Sequence, residues 1–271
     1  MMKTIGFIGA GNMAEAIVKG IDRTKFLPPQ QIGVTDVNVQ RLEHFAAMGH
    51  RAFADCRELV AFADYLVLSV KPQQMADVLA EAAPALREGT AVISIAAGIS
   101  ADYIRRALGR PELVVIPVMP NTPLLIAEGA TAVGREEDTP AEQLAFVKQI
   151  FAASGKVWEL PADKLSEVIP ANSSSPAFIY YYAKLFCDQI SQYGLEREMV
   201  KEMFCQTLIG AARMMLESGE DIDDLIAKVC SKGGTTIAGI EGFQAKGLDA
   251  AVAYGIQRCI ERAHELGQAN G

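Results

Sequence analysis

Short apolar runs alternate with helix-period segments over the first 160 residues. Residues 4–9 (TIGFIG) form a strand-length apolar run ending in glycine, and an apolar-periodic segment follows over 13–21. Residues 32–36, 65–69, 91–95 and 113–117 predict further strands. Between them, 41–48 and 73–86 carry helical spacing, the second opening after Pro72, which suits a first helical turn. Ser100 is placed to cap the helix that follows residues 91–95. Strands that alternate with helices build βαβ units and a mainly parallel sheet. Two later runs, 131–133 and 156–159, flank a helix near 140–152 and are expected to extend the sheet at one edge.

After Pro161 the pattern holds only the helical period, through 174–193, 196–217, 221–229 and 248–267, with Gly194 and Gly219 as stops. The expectation is an α/β protein with two domains. Residues 1–160 form a mainly parallel sheet with helices, and residues 161–271 form an all-helical domain. Phe178, Tyr180, Tyr181, Tyr182, Phe186 and Phe204 spread apolar surface widely around the later helices. That is more than one small bundle buries, so subunit pairing is expected, with a single larger core as the alternative.

Composition narrows the function. Half of the residues are hydrophobic and 21% are charged, as in globular proteins generally. No apolar run reaches the roughly 18 residues of a membrane span. The opening MMKTIGFIGAG reads as a first strand and not as a signal peptide, so a cytoplasmic protein is expected. A net charge of −8 without a basic cluster argues against nucleic acid. The five cysteines form no C-x-x-C, and His44, His50 and His264 form no ligand pattern; reduced thiols and no metal site are expected.

The first chemical signal is Gly9-Ala10-Gly11-Asn12-Met13-Ala14, a G-x-G-x-x-A turn between the first strand and the first helix. Gly9 permits the tight turn, Gly11 lets a pyrophosphate approach the backbone, and Ala14 allows close helix–strand packing. Asp36 ends the second strand, where a carboxylate grips the ribose 2′-OH of NAD; Arg41 offers the contrary option of pairing with a 2′-phosphate. Asp36 has a plainer role too, as a cap for the helix after it. Ser69-Val70-Lys71-Pro72 and Ala96-Ala97-Gly98 follow two later strands, where a ligand crevice forms in open α/β sheets. The rigid Met119-Pro120-Asn121-Thr122-Pro123 loop follows the next. The Asn121 amide both donates and accepts, as a group orienting nicotinamide or substrate would; a purely structural turn is the alternative.

The second signal is KVCSKGGTTIAGIEGFQ at 228–244. Consecutive N–H groups at a Gly-rich helix start form an anion site, which here looks built for a small carboxylate; an ordinary helix start with a Gly-rich turn is the alternative. A dinucleotide turn and a carboxylate turn in one chain point to hydride chemistry on a small anion.

G-A-G-N-M-A, S-V-K-P-Q, M-P-N-T-P and V-C-S-K-G-G-T-T-I-A-G-I-E occur here in the order and spacing of the pyrroline-5-carboxylate reductase family, which the chain resembles over essentially its full length. The resemblance implies an N-terminal Rossmann domain, a helical domain that pairs with another subunit, and NAD(P)H-dependent reduction of the C=N bond of 1-pyrroline-5-carboxylate. It implies that Ser231 and the N–H groups of Gly233, Gly234 and Thr235 hold the substrate carboxylate, and that Thr236 places its hydroxyl by the ring nitrogen. It favours NADPH, with NADH as the other candidate. Three departures stand out: Ser173 and Ser175 stand for usual glycines, Cys56 for an asparagine of some members, and Lys232 lies inside the carboxylate loop, where proline also occurs in the family. Two other readings remain. A β-hydroxyacid dehydrogenase would use Lys184 as proton carrier, and a nucleotide-binding regulator would have no chemistry.

Overall fold

The computed structural model describes residues 3–269. By packing, the chain divides into two units: residues up to Pro176 together with those from Cys259 onward, and Ala177–Arg258.

The first unit is built on eight strands: β1 (Ile5–Ile8), β2 (Ile32–Thr35), β3 (Arg51–Ala52), β4 (Tyr65–Leu68), β5 (Ala91–Ser94), β6 (Val115–Met119), β7 (Gly129–Arg135) and β8 (Gly155–Pro161). Their order is β3-β2-β1-β4-β5-β6-β7-β8. Every pairing is parallel except β6 with β7. The sheet therefore reverses direction at the edge that the two later runs extend. Helices α1 (Asn12–Thr24), α2 (Val39–Ala47), α3 (Cys56–Phe62), α4 (Met75–Ala82), α5 (Ala101–Leu108) and α6 (Ala141–Ala152) connect the strands.

Both sheet faces are covered, so strand residues are buried without alternation. Tyr65 and Val67 belong to one core with Phe7, Ile17, Val34, Ile93 and Ile150. Leu66 and Leu68, pointing the other way, belong to a second core with Leu59, Met75, Leu79 and Ile104. The unit runs past the expected boundary at 160. Leu165, in the short helix α7 (Leu165–Val168), joins Met119 and Ala132 in a third small core, with Val168 and Ile169 against it.

The remaining helices are α8 (Ser175–Ser191), α9 (Arg197–Glu217), α10 (Ile222–Val229), α11 (Thr235–Ala245) and α12 (Leu248–Ala269). Within Ala177–Arg258, Cys187 and Val200 are the buried hydrophobic residues among those described. Phe186 stacks on Phe204 at 4.4 Å between ring centroids, yet Tyr180 and Tyr181 stay 64% and 66% exposed. Among the described residues no helix is long and apolar enough to cross a membrane.

Candidate functional site

β1, β2 and β4 converge at their carboxyl ends. Gly9 follows β1 with φ +95, and a Cβ there would lie 2.5 Å from the Ser69 carbonyl oxygen. Both its backbone angle and its neighbour therefore demand glycine. Gly11 caps α1 with φ −73, open to any residue, and a Cβ on it would meet no atom within 4 Å. The chain's own packing does not require that glycine. It leaves clear space before the helix-start amides, which no side chain caps. Asn12 is exposed, Met13 half-buried and Ala14 fully buried. A dinucleotide pyrophosphate fits this cradle.

The turn is clasped from β2 and α2. Asp36 accepts through Oδ2 from the Ala10 N–H (2.7 Å) and through Oδ1 from the Asn38 N–H (2.8 Å). Helix α2 is capped by Asn38 and not by Asp36. Arg41 donates through Nε to the Ala10 carbonyl (2.6 Å) and through Nη2 to Glu15 (2.7 Å). Glu15 also pairs with Lys19 at 2.7 Å and lies 3.2 Å from His44. Its hydrogen bond from Lys19, with those from Arg41 and His44, holds the carboxyl at about 2, well below the usual carboxylate range. Cys56, the first residue of α3, is buried, and burial pushes its thiol up to about 11.

Ser69, Val70 and Pro72 are half-buried after β4, while Lys71 is exposed. Ala96 is half-buried and Ala97 exposed after β5. A Cβ on Gly98 would lie 2.7 Å from Leu266 Cβ in α12, so this glycine answers to a helix contact. A cavity of about 550 Å³ opens beside the ends of β5 and β6, with Ala96, Gly98, Met119, Asp102, Glu136 and His264 in its wall.

Asn121 has two expected roles, orienting a ligand or holding a structural turn, and its amide makes its contacts with the scaffold. It is 8% exposed, donates to the Asn172 carbonyl (3.2 Å) and accepts from the Ala130 N–H (3.0 Å). Asn172 answers by donating to the Met119 carbonyl (2.6 Å) and accepting from the Ser173 N–H (2.6 Å). Ser173 donates to the Pro120 carbonyl at 3.0 Å. These bonds join the loop after β6 to the start of α8. Neither Ser173 nor Ser175 has positive φ, so serine costs this backbone nothing. Sequence reasoning missed Asn172, which has no pattern around it, and Glu15, whose i,i+4 spacing to Lys19 was readable.

The second bend lies wholly within Ala177–Arg258. Helix α10 ends at Cys230, and Gly233 turns the chain with φ +71. Gly234 caps α11 without a side-chain bond, and its N–H donates to the Ser231 carbonyl at 2.9 Å. A Cβ on Gly234 would lie 2.5 Å from Ser231 Oγ. Glycine thus lets the serine hydroxyl sit at the open start of α11. Thr235 and Thr236 begin that helix, and both are exposed. Thr236 also borders an apolar groove of about 390 Å³ with Met214, Met215, Ile226 and Ile240. Lys184 pairs with Asp188 at 2.7 Å on the exposed surface of α8. Among the described residues, no three His, Cys, Asp or Glu side chains gather as a metal ion requires.

A sheet whose first six strands run 3-2-1-4-5-6, with a glycine turn between β1 and α1, defines the dinucleotide-binding α/β class. Residues 4–98 match the family model described as NADP oxidoreductase, coenzyme F420-dependent, and residues 162–266 match pyrroline-5-carboxylate reductase dimerisation. The pyrroline-5-carboxylate reductase of Escherichia coli (strain K12) is 33% identical over 99% of this chain and 100% of its own. That of Pseudomonas aeruginosa is 36% identical over 97% and 98%. The solved structure of a pyrroline-5-carboxylate reductase from Coxiella burnetii superposes with a TM-score of 0.90 at 32% identity, covering 98% of this chain and 99% of that one. The chain belongs to the pyrroline-5-carboxylate reductase family.

Proposed function

We propose that this chain is an NAD(P)H-dependent oxidoreductase that reduces the C=N bond of 1-pyrroline-5-carboxylate to give L-proline, in the cytoplasm. The observation that carries the reading is the pair of glycine bends, at Gly9–Gly11 and at Gly233–Gly234. Each leaves helix-start amides uncapped by any side chain. Full-length identity to reductases of that name supports it.

In this reading Gly9, Gly11, Asn12, Met13 and Ala14 take the pyrophosphate, and Asp36 and Arg41 border the adenosine ribose. Ser69–Pro72 and Ala96–Gly98 line the path of the cofactor along the strand ends. Residues 161–271 act as the substrate-binding and dimerisation domain. Ser231, with the N–H groups of Gly233 and Thr235, takes the substrate carboxylate, and the Gly234 N–H joins them by sharing or leaving its bond to the Ser231 carbonyl. The bound nicotinamide supplies the hydride. The alcohol of Thr236 is too weak an acid to protonate the imine alone, so the substrate enters as the iminium and Thr236 Oγ accepts from its ring N–H. Orientation then carries the reaction, and a well-held pair of reactants supplies roughly 7–11 kcal/mol. The exposed aromatics of α8 and the near-absence of buried apolar residues in Ala177–Arg258 support a homo-oligomer, at least a dimer through these helices.

The test is consumption of NADH or NADPH by the purified chain with 1-pyrroline-5-carboxylate, with proline measured as product. Dinucleotide binding without turnover would replace the reading with that of a regulator. Turnover of β-hydroxyacids abolished by Lys184→Ala would replace it with the dehydrogenase.

A further inference from the structure

We propose that Asp36 makes this chain favour NADH over NADPH, an inference that rests on the dinucleotide reading above. Asp36 directly follows β2, and in a sheet of this order the adenosine ribose lies at that strand end. The Ala10 and Asn38 N–H groups hold one carboxylate oxygen each. Each oxygen keeps a lone pair for a further donor. A ribose 2′-OH has a proton to offer it. A 2′-phosphate brings about −1.5 to −2 charges and acceptor oxygens, and so meets a fixed acceptor of like charge.

Arg41 is the residue that could reverse this, and the structure commits it elsewhere. Its Nε is on the Ala10 carbonyl and its Nη2 is on Glu15. Lys19 and His44 point at the same Glu15 carboxylate. A 2′-phosphate would have to draw a cation out of this cluster before gaining a partner. Glu15 thereby acts as a positioning residue for the preference. It keeps the Arg41 guanidinium bonded under the glycine turn, beside the ribose position but with these donors already taken.

The test is direct binding to the full chain, measured by calorimetry or nicotinamide fluorescence with NADH and with NADPH at one fixed ionic strength. The expected result is a Kd for NADH at least tenfold below that for NADPH. Asp36→Asn should shrink that ratio at least fivefold, by weakening NADH and tightening NADPH. Glu15→Ala, which frees Arg41 Nη2 together with Lys19 and His44, should tighten NADPH at least threefold and leave NADH within twofold. Equal or tighter NADPH binding by the wild-type chain would overturn the proposal, as would a ratio unmoved by Asp36→Asn or an NADPH constant unmoved by Glu15→Ala. If Asp36→Asn does not fold, the wild-type ratio and Glu15→Ala decide. Imine reduction with NADPH preferred would overturn this inference alone; binding of neither dinucleotide would overturn it together with the reductase reading.

Discussion

Asn121→Ala should destabilise the sheet unit by about 2–6 kcal/mol, through two orphaned groups at about 1–3 kcal/mol each. The groups are the Ala130 N–H and the Asn172 carbonyl, which Asn121 engages at 3.0 and 3.2 Å from an 8%-exposed position. Alanine leaves both without a partner. For a unit of this size about 3 kcal/mol lowers Tm by roughly 6–12 °C. Thermal unfolding followed by circular dichroism measures this, with protein concentration held fixed because assembly shifts Tm. Asn121→Asp is a companion. It keeps an acceptor for Ala130 but turns a carboxylate oxygen toward the Asn172 carbonyl, so its loss should ease at low pH, where the acid carries a proton to donate. A loss below about 1 kcal/mol in Asn121→Ala would show that water reaches these groups. An unchanged Tm with a raised KM for the imino acid would refute the clamp and return Asn121 to the substrate.

Ser231→Ala should raise KM about 10- to 150-fold, the worth of a charge-assisted hydrogen bond of about 1.5–3 kcal/mol. Gly234→Ala should do the same by displacing the hydroxyl 2.5 Å from its Cβ, and the double variant should be no worse than the poorer single one; additive losses in initial-rate measurements would contradict this. Thr236→Ala should lower kcat while leaving the dinucleotide Kd unchanged, and near-wild-type turnover would remove Thr236 from the chemistry. The Glu15 pKa is lowered, so its ion pairs stabilise the fold above the ordinary carboxylate range and lose that contribution as pH falls toward about 2. Urea midpoints of Glu15→Gln should therefore fall below wild type at pH 6 and approach it at pH 2; parallel curves would show that Glu15 contributes nothing through charge.

The sheet was legible where both faces are buried. Residues 65–69 and 91–95 read as strands because β4 and β5 are continuous apolar runs with a core on either side. β3 escaped, since Arg51 and Ala52 are two exposed residues paired only with β2. Helix α3 was passed over as well: its seven residues are too few to display a period. The segment expected over 73–86 is helical only over Met75–Ala82, with single 3-10 turns starting at Pro72 and Ala83. At the candidate site the glycines could be read because backbone demands are local. The partners of Asp36 and Asn121 could not, because Ala10 and Ala130 reach them only through the tertiary fold and through backbone groups that every residue carries.

The thinness of the interior in Ala177–Arg258 bears on how the chain comes into being. A stretch with Cys187 and Val200 as its buried apolar residues leaves the ribosome with sticky helices and little to hide them in. Its lifetime as a lone molecule is then a race between meeting a second copy and clumping with strangers, a race that dilution loses. Abundance in the cell would set quality as well as quantity: scarce copies would be the fragile ones.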